Sequence, residues 1–183
     1  MKVTPTRIAE VLLIEPRVFG DQRGFFLESF NQQVWCRATG IDVRFVQDNH
    51  SRSVRPVLRG LHYQLEQPQG KLVRCVSGAV YDVAVDLRRH SPTRGHWVGM
   101  TLSADNHRQL WIPPGFAHGF LVLSASADLL YKTTAYYAPA AEQAIRWNDP
   151  DLAIDWPGSE TPLLSDKDSA AGWYRDAPLF DTW

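Results

Sequence analysis

The most constraining feature of this chain is a succession of short β-prone runs separated by turn residues at regular spacing. The predicted strands are residues 7–14, 25–30, 43–48, 57–64, 71–76, 79–87, 96–102, 109–112, 119–123 and 129–135. Turn sequences such as Ser77-Gly78 and Pro113-Pro114-Gly115 lie between them. Many short strands at even spacing are typical of an all-β sandwich or barrel. We expect the run 79–87 to be a central strand, because it is apolar at almost every position.

Little helix is expected, and it is confined to two regions. Residues 31–39, closed by Gly40, have the pattern of a short helix with a glycine stop. After residue 149 the strand pattern ends, and Pro150 suits a first helical position. Ser165 is a candidate N-cap of a further short helix. No repeat or linker interrupts the chain, so residues 1–183 are predicted to form one domain.

Composition argues against several classes of protein. The 183 residues are 44% hydrophobic and 21% charged, which fits one globular domain with a core. The net charge is -1, so there is no global basic field of the kind that binds nucleic acid. No apolar run approaches the ~20 residues that cross a membrane, and the N-terminus lacks a signal-peptide core. Cys36 and Cys75 have no metal-type spacing and are interpreted as reduced thiols of a cytoplasmic protein.

Residues 113–118 contain the pattern Pro-x-Gly-x-x-His, which resembles the second signature of cupin jelly rolls. Metal-binding cupins pair it with a His-x-His in the first half of the barrel. Here Gln64 stands where the second histidine would be, which leaves at most two imidazoles, His62 and His118. Catalytic zinc and iron sites generally need three protein ligands. A metal site is therefore the less favoured interpretation, and no metal or cofactor is predicted.

The run 59–64 leaves three interpretations of His62: a packed core residue, a metal ligand or a general base. In a regular strand, alternation would place Arg59 and His62 on opposite faces. Both could contact one ligand only if the backbone near Gly60 were irregular. We therefore expect irregular backbone near Gly60, or a route for Arg59 that a strand does not show.

Other residues have a functional and a structural interpretation. Tyr131 lies in a late predicted strand, and a phenol with a pKa of about 10 can protonate a carbanion, although packing is the more usual role. Locally, Asp168 fits a helix-capping residue. Lys71 together with Arg23 and Arg59 would suit a diphosphate. Glu28, Gln47, Asn49 and Glu142 are polar residues in or beside apolar runs, which singly are more often solvated.

Several motifs, taken in chain order, resemble those of dTDP-4-dehydrorhamnose 3,5-epimerases. They are residues 21–26, 47–49, 59–64, 69–74, 111–120, 131–132, 147–149 and 164–168, so the resemblance covers residues 7–168. It implies a cofactor-free cupin-type jelly roll that acts as a homodimer. The implied reaction converts dTDP-4-dehydro-6-deoxy-D-glucose to dTDP-4-dehydro-L-rhamnose in dTDP-rhamnose biosynthesis.

The resemblance also implies roles for individual residues. It makes His62 the base, Tyr131 the acid and Lys71 the cation beside the C4 oxygen. Asp168 becomes the carboxylate partner of His62 instead of a cap, since one side chain is not expected to do both. The implied substrate contacts are Arg23, Glu28, Gln47, Asp48, Asn49, Arg59, His118, Glu142 and Lys167, with Tyr137 stacked on the thymine.

Three functions therefore remain open. The favoured one is a nucleotide-sugar epimerase acting at C3 and C5, with a relative acting at one of these carbons as its variant. A metal-dependent cupin and a non-catalytic cupin that binds a nucleotide sugar are the others. The residue types fit the first, because abstraction of a hydrogen alpha to a ketone leaves negative charge on the C4 oxygen, which a fixed cation stabilises.

Overall fold

The computed structural model describes residues 1–181, two fewer than the predicted domain, and contains thirteen strands and two α-helices within them. The strands are β1 (Lys2–Pro5), β2 (Leu12–Glu15), β3 (Val18–Asp21), β4 (Gly24–Leu27), β5 (Gln47–Val54), β6 (Leu58–Gln64), β7 (Lys71–Ser77), β8 (Ala79–Asp86), β9 (Trp97–Ser103), β10 (Gln109–Ile112), β11 (Phe116–Val122), β12 (Ser126–Thr133) and β13 (Glu142–Ala144). The helices are α1 (Gln32–Thr39) and α2 (Asp166–Ser169), and 3₁₀ turns cover Pro139–Ala141 and Tyr174–Asp176.

Two antiparallel sheets face each other and form the body of the molecule. The six-stranded sheet has the order β1-β2-β10-β7-β12-β5, and the five-stranded sheet has the order β13-β6-β11-β8-β9. Buried residues of both sheets, among them Val73, Leu129, Val80 and Phe120, pack into one cluster between them. The predicted all-β jelly roll is confirmed, and β8 lies inside its sheet as expected.

Apolar chain also covers the outer faces of both sheets. On the five-stranded sheet, Leu61 and Val83 pack against Phe180 from the C-terminal segment. On the six-stranded sheet, Leu72 packs against Trp35 of α1. Because these strands are buried on both faces, β7 and β8 have nearly continuous apolar sequences. A polar side chain that points between the sheets is therefore an exception that needs a reason.

Helix α1 begins and ends as its sequence predicts. The side chain of Asn31 accepts hydrogen bonds from the backbone N–H groups of Gln33 and Val34 at 3.0 and 3.2 Å. Gly40 adopts the left-handed conformation, with φ of 72°, and its N–H donates to the carbonyl of Cys36. The predicted helix is confirmed.

Two predicted strands are wrong over more than half of their length, and the predicted strands 25–30, 119–123 and 129–135 are displaced by two or three residues at one end or both. Within the predicted strand 7–14, residues 7–11 form a turn between β1 and β2, and the N–H of Val11 donates to the carbonyl of Ile8 at 2.9 Å. Residues 41–46 are irregular, and β5 begins only at Gln47. Val43 and Phe45 pack against the outer cluster around α1, so their alternation reflects burial and not strand pairing. The sequence pattern also missed β1, β3, β13 and most of β5, because these strands are short or polar.

The C-terminal segment after residue 149 is more irregular than predicted. The predicted helix near Ser165 is present as α2, whereas the Asp149 region forms a single turn in which Ala153 donates to the carbonyl of Asp149. The rest of the segment crosses the outer face of the five-stranded sheet. Of the helices described in residues 1–181, none has the length and apolar character that spanning a membrane requires.

Candidate active site

Polar side chains from both sheets converge in the space between them. His62 on β6, Asp82 on β8 and His118 on β11 belong to the five-stranded sheet. Lys71 on β7 and Tyr131 on β12 belong to the facing six-stranded sheet. The two groups are thus held on opposite walls of one cleft by regular backbone pairing.

His62 is bound to a buried carboxylate from the distant helix α2. The Oδ1 atom of Asp168 accepts from the Nε2–H of His62 at 2.5 Å, and Asp168 is only 3% exposed. Burial by itself would raise the pKa of Asp168, but the hydrogen bonds from His62 and Ser165 outweigh it and hold the pKa below its ordinary value. The carboxylate is therefore anionic at neutral pH and fixes the orientation and tautomer of the ring.

Asp168 takes part in the helix cap through its backbone, so its side chain does not have to serve as both the cap and the partner of His62. Its Oδ2 accepts from the Ser165 hydroxyl at 2.7 Å, and its backbone N–H donates to Ser165 Oγ at 3.1 Å. The cap needs only the backbone N–H of Asp168, because the acceptor is the serine side chain. One carboxylate oxygen therefore remains available for His62.

The backbone near Gly60 is irregular, as expected. His118 pairs with His62 and Phe120 pairs with Arg59, so three steps on β6 match two on β11. Since His118 and Phe120 share a face, this bulge turns Arg59 toward the same face as His62. Gly60 has a φ of 121°, and a Cβ there would lie 2.6 Å from the Cα of Gly119.

The same irregularity determines where Arg59 lies. The Gly60–Leu61 peptide bond is cis. The Nε of Arg59 donates to Ser53 Oγ on β5 at 3.0 Å, so its guanidinium bridges from the five-stranded sheet to the edge of the other. Its positive charge also opposes the rise in the pKa of Tyr131. Arg59 and His62 can therefore contact one ligand.

A second histidine, His118, is bound to a second buried carboxylate. Its Nε2 lies 2.9 and 3.1 Å from the two carboxylate oxygens of Asp82. Burial lowers the pKa of His118, and the nearby Lys71 and His62 lower it further, although Asp82 opposes this. The ring is therefore neutral at pH 7, and its centroid lies 6.4 Å from that of Tyr131.

Lys71 and Tyr131 are the titratable groups of the facing wall. Burial lowers the pKa of Lys71 to about 8, while Asp82 and Glu142 oppose this. Burial raises the pKa of Tyr131 above its ordinary value. At neutral pH the site therefore holds a cationic lysine and a protonated phenol in one cleft, which are suitable for stabilising and protonating an enolate.

The mouth of the cleft carries a network around Glu142. Its Oε2 accepts from the Tyr137 hydroxyl at 2.7 Å and forms an ion pair with Lys167. The backbone N–H of Tyr137 donates to Gln47 Oε1 at 3.0 Å, and Gln47 Nε2 donates to Asn49 Oδ1 at 2.9 Å. These five predicted contact residues form one continuous network, in which the ring of Tyr137 is exposed.

Three predicted contact residues lie outside this network in the folded chain. Arg23 is on the exposed hairpin β3–β4 and pairs with Asp21. Glu28 follows the hairpin and accepts from Asn31 at 3.1 Å. Asp48 points to the outer face of β5 and binds Lys132 at 2.9 Å. The single chain therefore does not bring these side chains to His62.

Gln64 stands at the position of the second cupin histidine, and its side chain forms hydrogen bonds with three backbone groups. Its Nε2 donates to the carbonyls of Gln67 and Tyr136 at 2.9 and 3.2 Å, and its Oε1 accepts from the N–H of Ala138 at 2.9 Å. The side chain is only 4% exposed. Across residues 1–181, no group of three or more His, Cys, Asp or Glu side chains is arranged to hold a metal ion.

Sequence reasoning missed Asp82, Ser53 and the structural role of Gln64. Asp82 had a visible signal, since it is a charged residue within the apolar run of a central strand. Ser53 had none, because it becomes relevant only through the bulge that directs Arg59 toward β5.

Comparison with known proteins agrees with this geometry. The family model described as dTDP-4-dehydrorhamnose 3,5-epimerase matches residues 5–176. A dTDP-4-dehydrorhamnose 3,5-epimerase of Pseudomonas aeruginosa is 62% identical over 98% of this chain and 99% of its own length. A dTDP-4-dehydrorhamnose 3-epimerase of Streptomyces niveus is 42% identical over 100% of this chain and 90% of its own.

A solved structure from Legionella pneumophila is also similar over the whole fold. It is a dTDP-6-deoxy-D-glucose-3,5-epimerase in complex with dTDP-4-keto-L-rhamnose. It has a TM-score of 0.97 and 54% identity, and the match covers 100% of this chain and 98% of that one. With matches of this extent in both sequence and structure, the chain belongs to the dTDP-4-dehydrorhamnose 3,5-epimerase family.

Proposed function

We propose that this isomerase converts dTDP-4-dehydro-6-deoxy-D-glucose to dTDP-4-dehydro-L-rhamnose by inverting C3 and C5. The observation that carries the proposal is that His62, paired with Asp168, faces Tyr131 and Lys71 from the opposite sheet. His62 with Asp168 forms one wall, and Tyr131 with Lys71 forms the other. Inversion needs a proton removed from one face of the sugar and returned to the other, which two opposite walls can do.

In this mechanism His62 is the base. Asp168 accepts a hydrogen bond from the Nε2–H group, which leaves Nδ1 with a lone pair to take a proton from C3 or C5. The resulting imidazolium is stabilised by the buried carboxylate. The electrons of the broken C–H bond move to the C4 oxygen as an enolate, and each of the two carbons flanks that same carbonyl.

Lys71 and Tyr131 complete each inversion. The ammonium of Lys71 balances the charge that develops on the C4 oxygen, in a site where low exposure strengthens the interaction. The Tyr131 hydroxyl then gives its proton to the opposite face of the carbon, and the electrons return to re-form the ketone. The tyrosinate regains a proton and His62 releases one before the second carbon reacts.

The remaining contacts are proposed to bind the nucleotide part. Arg59 lies beside the base and supplies a guanidinium for the diphosphate. The network at the mouth presents the exposed ring of Tyr137, which is suitable for stacking on thymine. Gln47, Asn49, Glu142 and Lys167 hold this ring in place, and His118 offers a ring nitrogen to the sugar.

The test is incubation with dTDP-4-dehydro-6-deoxy-D-glucose in heavy water, followed by NMR. Deuterium at both C3 and C5, with the rhamno product, is the expected result. Incorporation at one carbon only would replace the proposal with a mono-epimerase, the activity named for the Streptomyces relative. Absence of exchange at either carbon would refute this substrate.

We also propose that the protein acts as a homodimer in which the hairpin β3–β4 meets the site of a second copy. The hairpin pairs with neither large sheet, and it exposes Phe25 and Phe26 at 64% and 69%. Apolar side chains exposed to this degree are typical of a protein interface. Such an arrangement would bring Arg23 and Glu28 to a cleft that they do not reach within their own chain.

Mixed dimers test this arrangement. Arg23→Ala and His62→Ala subunits are each expected to be inactive alone, whereas random mixing restores about a quarter of the wild-type sites in a two-fold dimer. Refolding or co-expressing the two variants gives the mixture, and each variant treated in the same way on its own measures the background. If the mixture gains no activity, the shared site is refuted while the catalytic roles stand.

A cytoplasmic location is part of the proposal. It is supported by the two cysteines, which are both free thiols in the described chain. Burial raises the pKa of the Cys75 thiol to about 11, so this side chain acts as a small apolar residue. Free thiols of this kind are typical of reducing compartments.

A further inference from the structure

We propose that Asp82 is a positioning residue of this site, which orients His118 and keeps Lys71 positively charged. The proposal rests on the proposed function insofar as Lys71 stabilises an enolate. The effect of Asp82 on Lys71, however, exists without substrate and can be measured without turnover.

Asp82 is a buried carboxylate with only a histidine for a hydrogen-bond partner. It is 0% exposed, and both of its oxygens are bound by His118 Nε2. Within residues 1–181 it forms no ion pair with lysine or arginine side chains. Buried carboxylates are rarely tolerated without a compensating charge or a dense set of donors. The position therefore requires a nearby cation.

Asp86, four residues later on β8, shows what a purely structural carboxylate looks like here. It is also 0% exposed, but it accepts hydrogen bonds from Arg88, Ser91 and Thr93 at 2.6 to 2.9 Å. These partners belong to the loop after β8 and fully account for its burial. Asp82 has no such set, although it lies on the same strand.

The nearby cation is Lys71, which points into the same space from the opposite sheet. Lys71 alternates with Val73 and Cys75 on β7, and Asp82 alternates with Val80 and Ala84 on β8. These four apolar residues belong to one cluster between the sheets. The same alternation therefore directs the ammonium and the carboxylate toward each other.

The negative charge of Asp82 favours the protonated form of Lys71. Burial lowers the pKa of Lys71 to about 8, and Asp82 is the main charge that opposes the fall, followed by Glu142. The charged or titratable groups that act on Lys71, or on which it acts, are Asp82 on β8, Glu142 on β13 and His118 on β11. His62 on β6 and Tyr131 on β12 are the other titratable groups of the cleft. Without Asp82, more of the lysine would be neutral at pH 7 and unable to stabilise an enolate.

Asp82 has a second effect through His118. Because the carboxylate accepts from Nε2, this nitrogen carries the proton and Nδ1 keeps its lone pair. The neutral ring adds no second positive charge beside His62, and its orientation is fixed relative to the pairing His62 on β6. An amide at position 82 could instead donate to Nε2 and reverse the tautomer.

The test is an NMR titration of the lysine side chains in ¹³C-labelled protein without substrate. The chain has only four lysines, and the side chains of Lys2, Lys132 and Lys167 are 74%, 30% and 48% exposed. The fourth, Lys71, is therefore distinguished by its low midpoint. In Asp82→Asn we expect this midpoint to fall by about one pH unit, and the basic limb of kcat/KM to move with it.

Two comparisons make the result decisive. Asp86→Asn removes an equally buried carboxylate from the same strand, and we expect it to leave the Lys71 midpoint unchanged. Asp82→Glu keeps the charge and is expected to retain a midpoint close to that of the wild type. A folded Asp82→Asn protein with an unchanged Lys71 midpoint overturns the proposal, whatever its activity.

A folding measurement covers the case in which Asp82→Asn does not fold. The double variant Lys71→Gln with Asp82→Asn removes both charges, and we expect it to recover a folded state with a cooperative melting transition, followed by circular dichroism. No recovery in the double variant overturns the pairing of the two residues. Loss of turnover with the dTDP sugar in the wild type would refute the proposed function and leave these titrations valid.

Discussion

His62 and His118 lie directly opposite each other on neighbouring strands, and each ring is bound to a different buried aspartate. Their exposure differs, since the His62 side chain is 27% exposed and that of His118 is 7% exposed. The accessible ring, held by Asp168, is placed to exchange protons with a ligand and solvent. The buried ring, held by Asp82, has much less access to ligand and solvent. Paired histidines in one site can therefore have different tasks.

Replacement of His62 by alanine removes the proposed base. We expect deuterium exchange at C3 and C5 to fall by about 10³-fold, because general-base catalysis is lost, while dTDP binding measured by calorimetry is retained. His50→Ala is the control, since that side chain is 58% exposed on the outer face. Normal turnover in His62→Ala would show that another residue is the base.

Tyr131→Phe removes the proposed acid but keeps the ring. Exchange with solvent deuterium is expected to remain measurable, since abstraction and return on the His62 side are still possible. Net inversion is expected to be suppressed at one carbon at least, which product analysis by NMR will detect. Tyr174→Phe, on the outer face, serves as the control. Unchanged inversion would remove Tyr131 from the mechanism.

Variants of Asp168 and Ser165 test the contact with His62 and the helix cap separately. Asp168→Asn retains a side chain that can bind Ser165 but loses the charge that supports His62, so kcat should fall by about 100-fold. Ser165→Ala loses the cap and should cost about 1 kcal/mol of stability with a much smaller effect on kcat. Equal effects of both variants on kcat would mean that helix α2 matters only as a scaffold.

The lowered pKa of Asp168 predicts how the stability of the protein depends on pH in acid. The pKa of Asp168 in the folded protein lies below its ordinary value of 3.8. Its stabilising contribution is therefore complete above that value and is lost as the pH falls through the lower folded pKa. Denaturant titrations should show a stability gap between wild type and Asp168→Asn that narrows below pH 3.8. A gap that widens in acid would contradict the depressed pKa.

Gln64→Leu tests whether the amide organises the mouth of the cleft. The change keeps the size of the side chain but removes its contacts with the carbonyls of Gln67 and Tyr136 and the N–H of Ala138. We expect KM to rise about 10-fold with kcat nearly unchanged, because the segment carrying Tyr137 loses its anchor. Ser103→Ala, a remote loss of a buried polar group, is the control. A fall in kcat alone would contradict this role.

Gly60→Ala tests the bulge that joins Arg59 to His62. The new Cβ would lie 2.6 Å from the Cα of Gly119 and 2.8 Å from the carbonyl oxygen of His118. We expect a loss of about 3 kcal/mol in the free energy of unfolding, together with reduced kcat/KM. Gly158→Ala is the matched control, because Gly158 also has positive φ but has nothing within 4 Å. Similar losses in both variants would assign the cost to φ alone.

The local sequence pattern predicted most strands, because these strands bury apolar side chains and end at turn residues. β10 was predicted with its observed bounds, and β6, β7 and β8 were within one residue of theirs. β5 was missed over most of its length, since its sequence Gln-Asp-Asn-His-Ser-Arg-Ser-Val is polar. It lies at the sheet edge and directs side chains toward the cleft, and this placement overrides the usual strand composition.

The site was predicted through motif order, which indicated the family and with it the residues to consider. The local sequence alone left three interpretations of His62 and favoured a helix-capping role for Asp168. The bulge at Gly60 was inferred only as a requirement, and the pairing of β6 with β11 supplied its form. Asp82 was not considered, although it is a charged residue in an apolar strand, because its partner His118 is 36 residues away in sequence.

Residue type, spacing and order along the chain were enough to predict the all-β class, the helices α1 and α2 with their N-caps, and the family. Which groups meet is visible only in the folded chain. Asp168 reaches His62 across 106 residues, and His118 reaches Asp82 across 36. Contacts at such separations depend on strand register and on how two sheets face each other. Those quantities come from the packing of the whole chain, so no local segment encodes them.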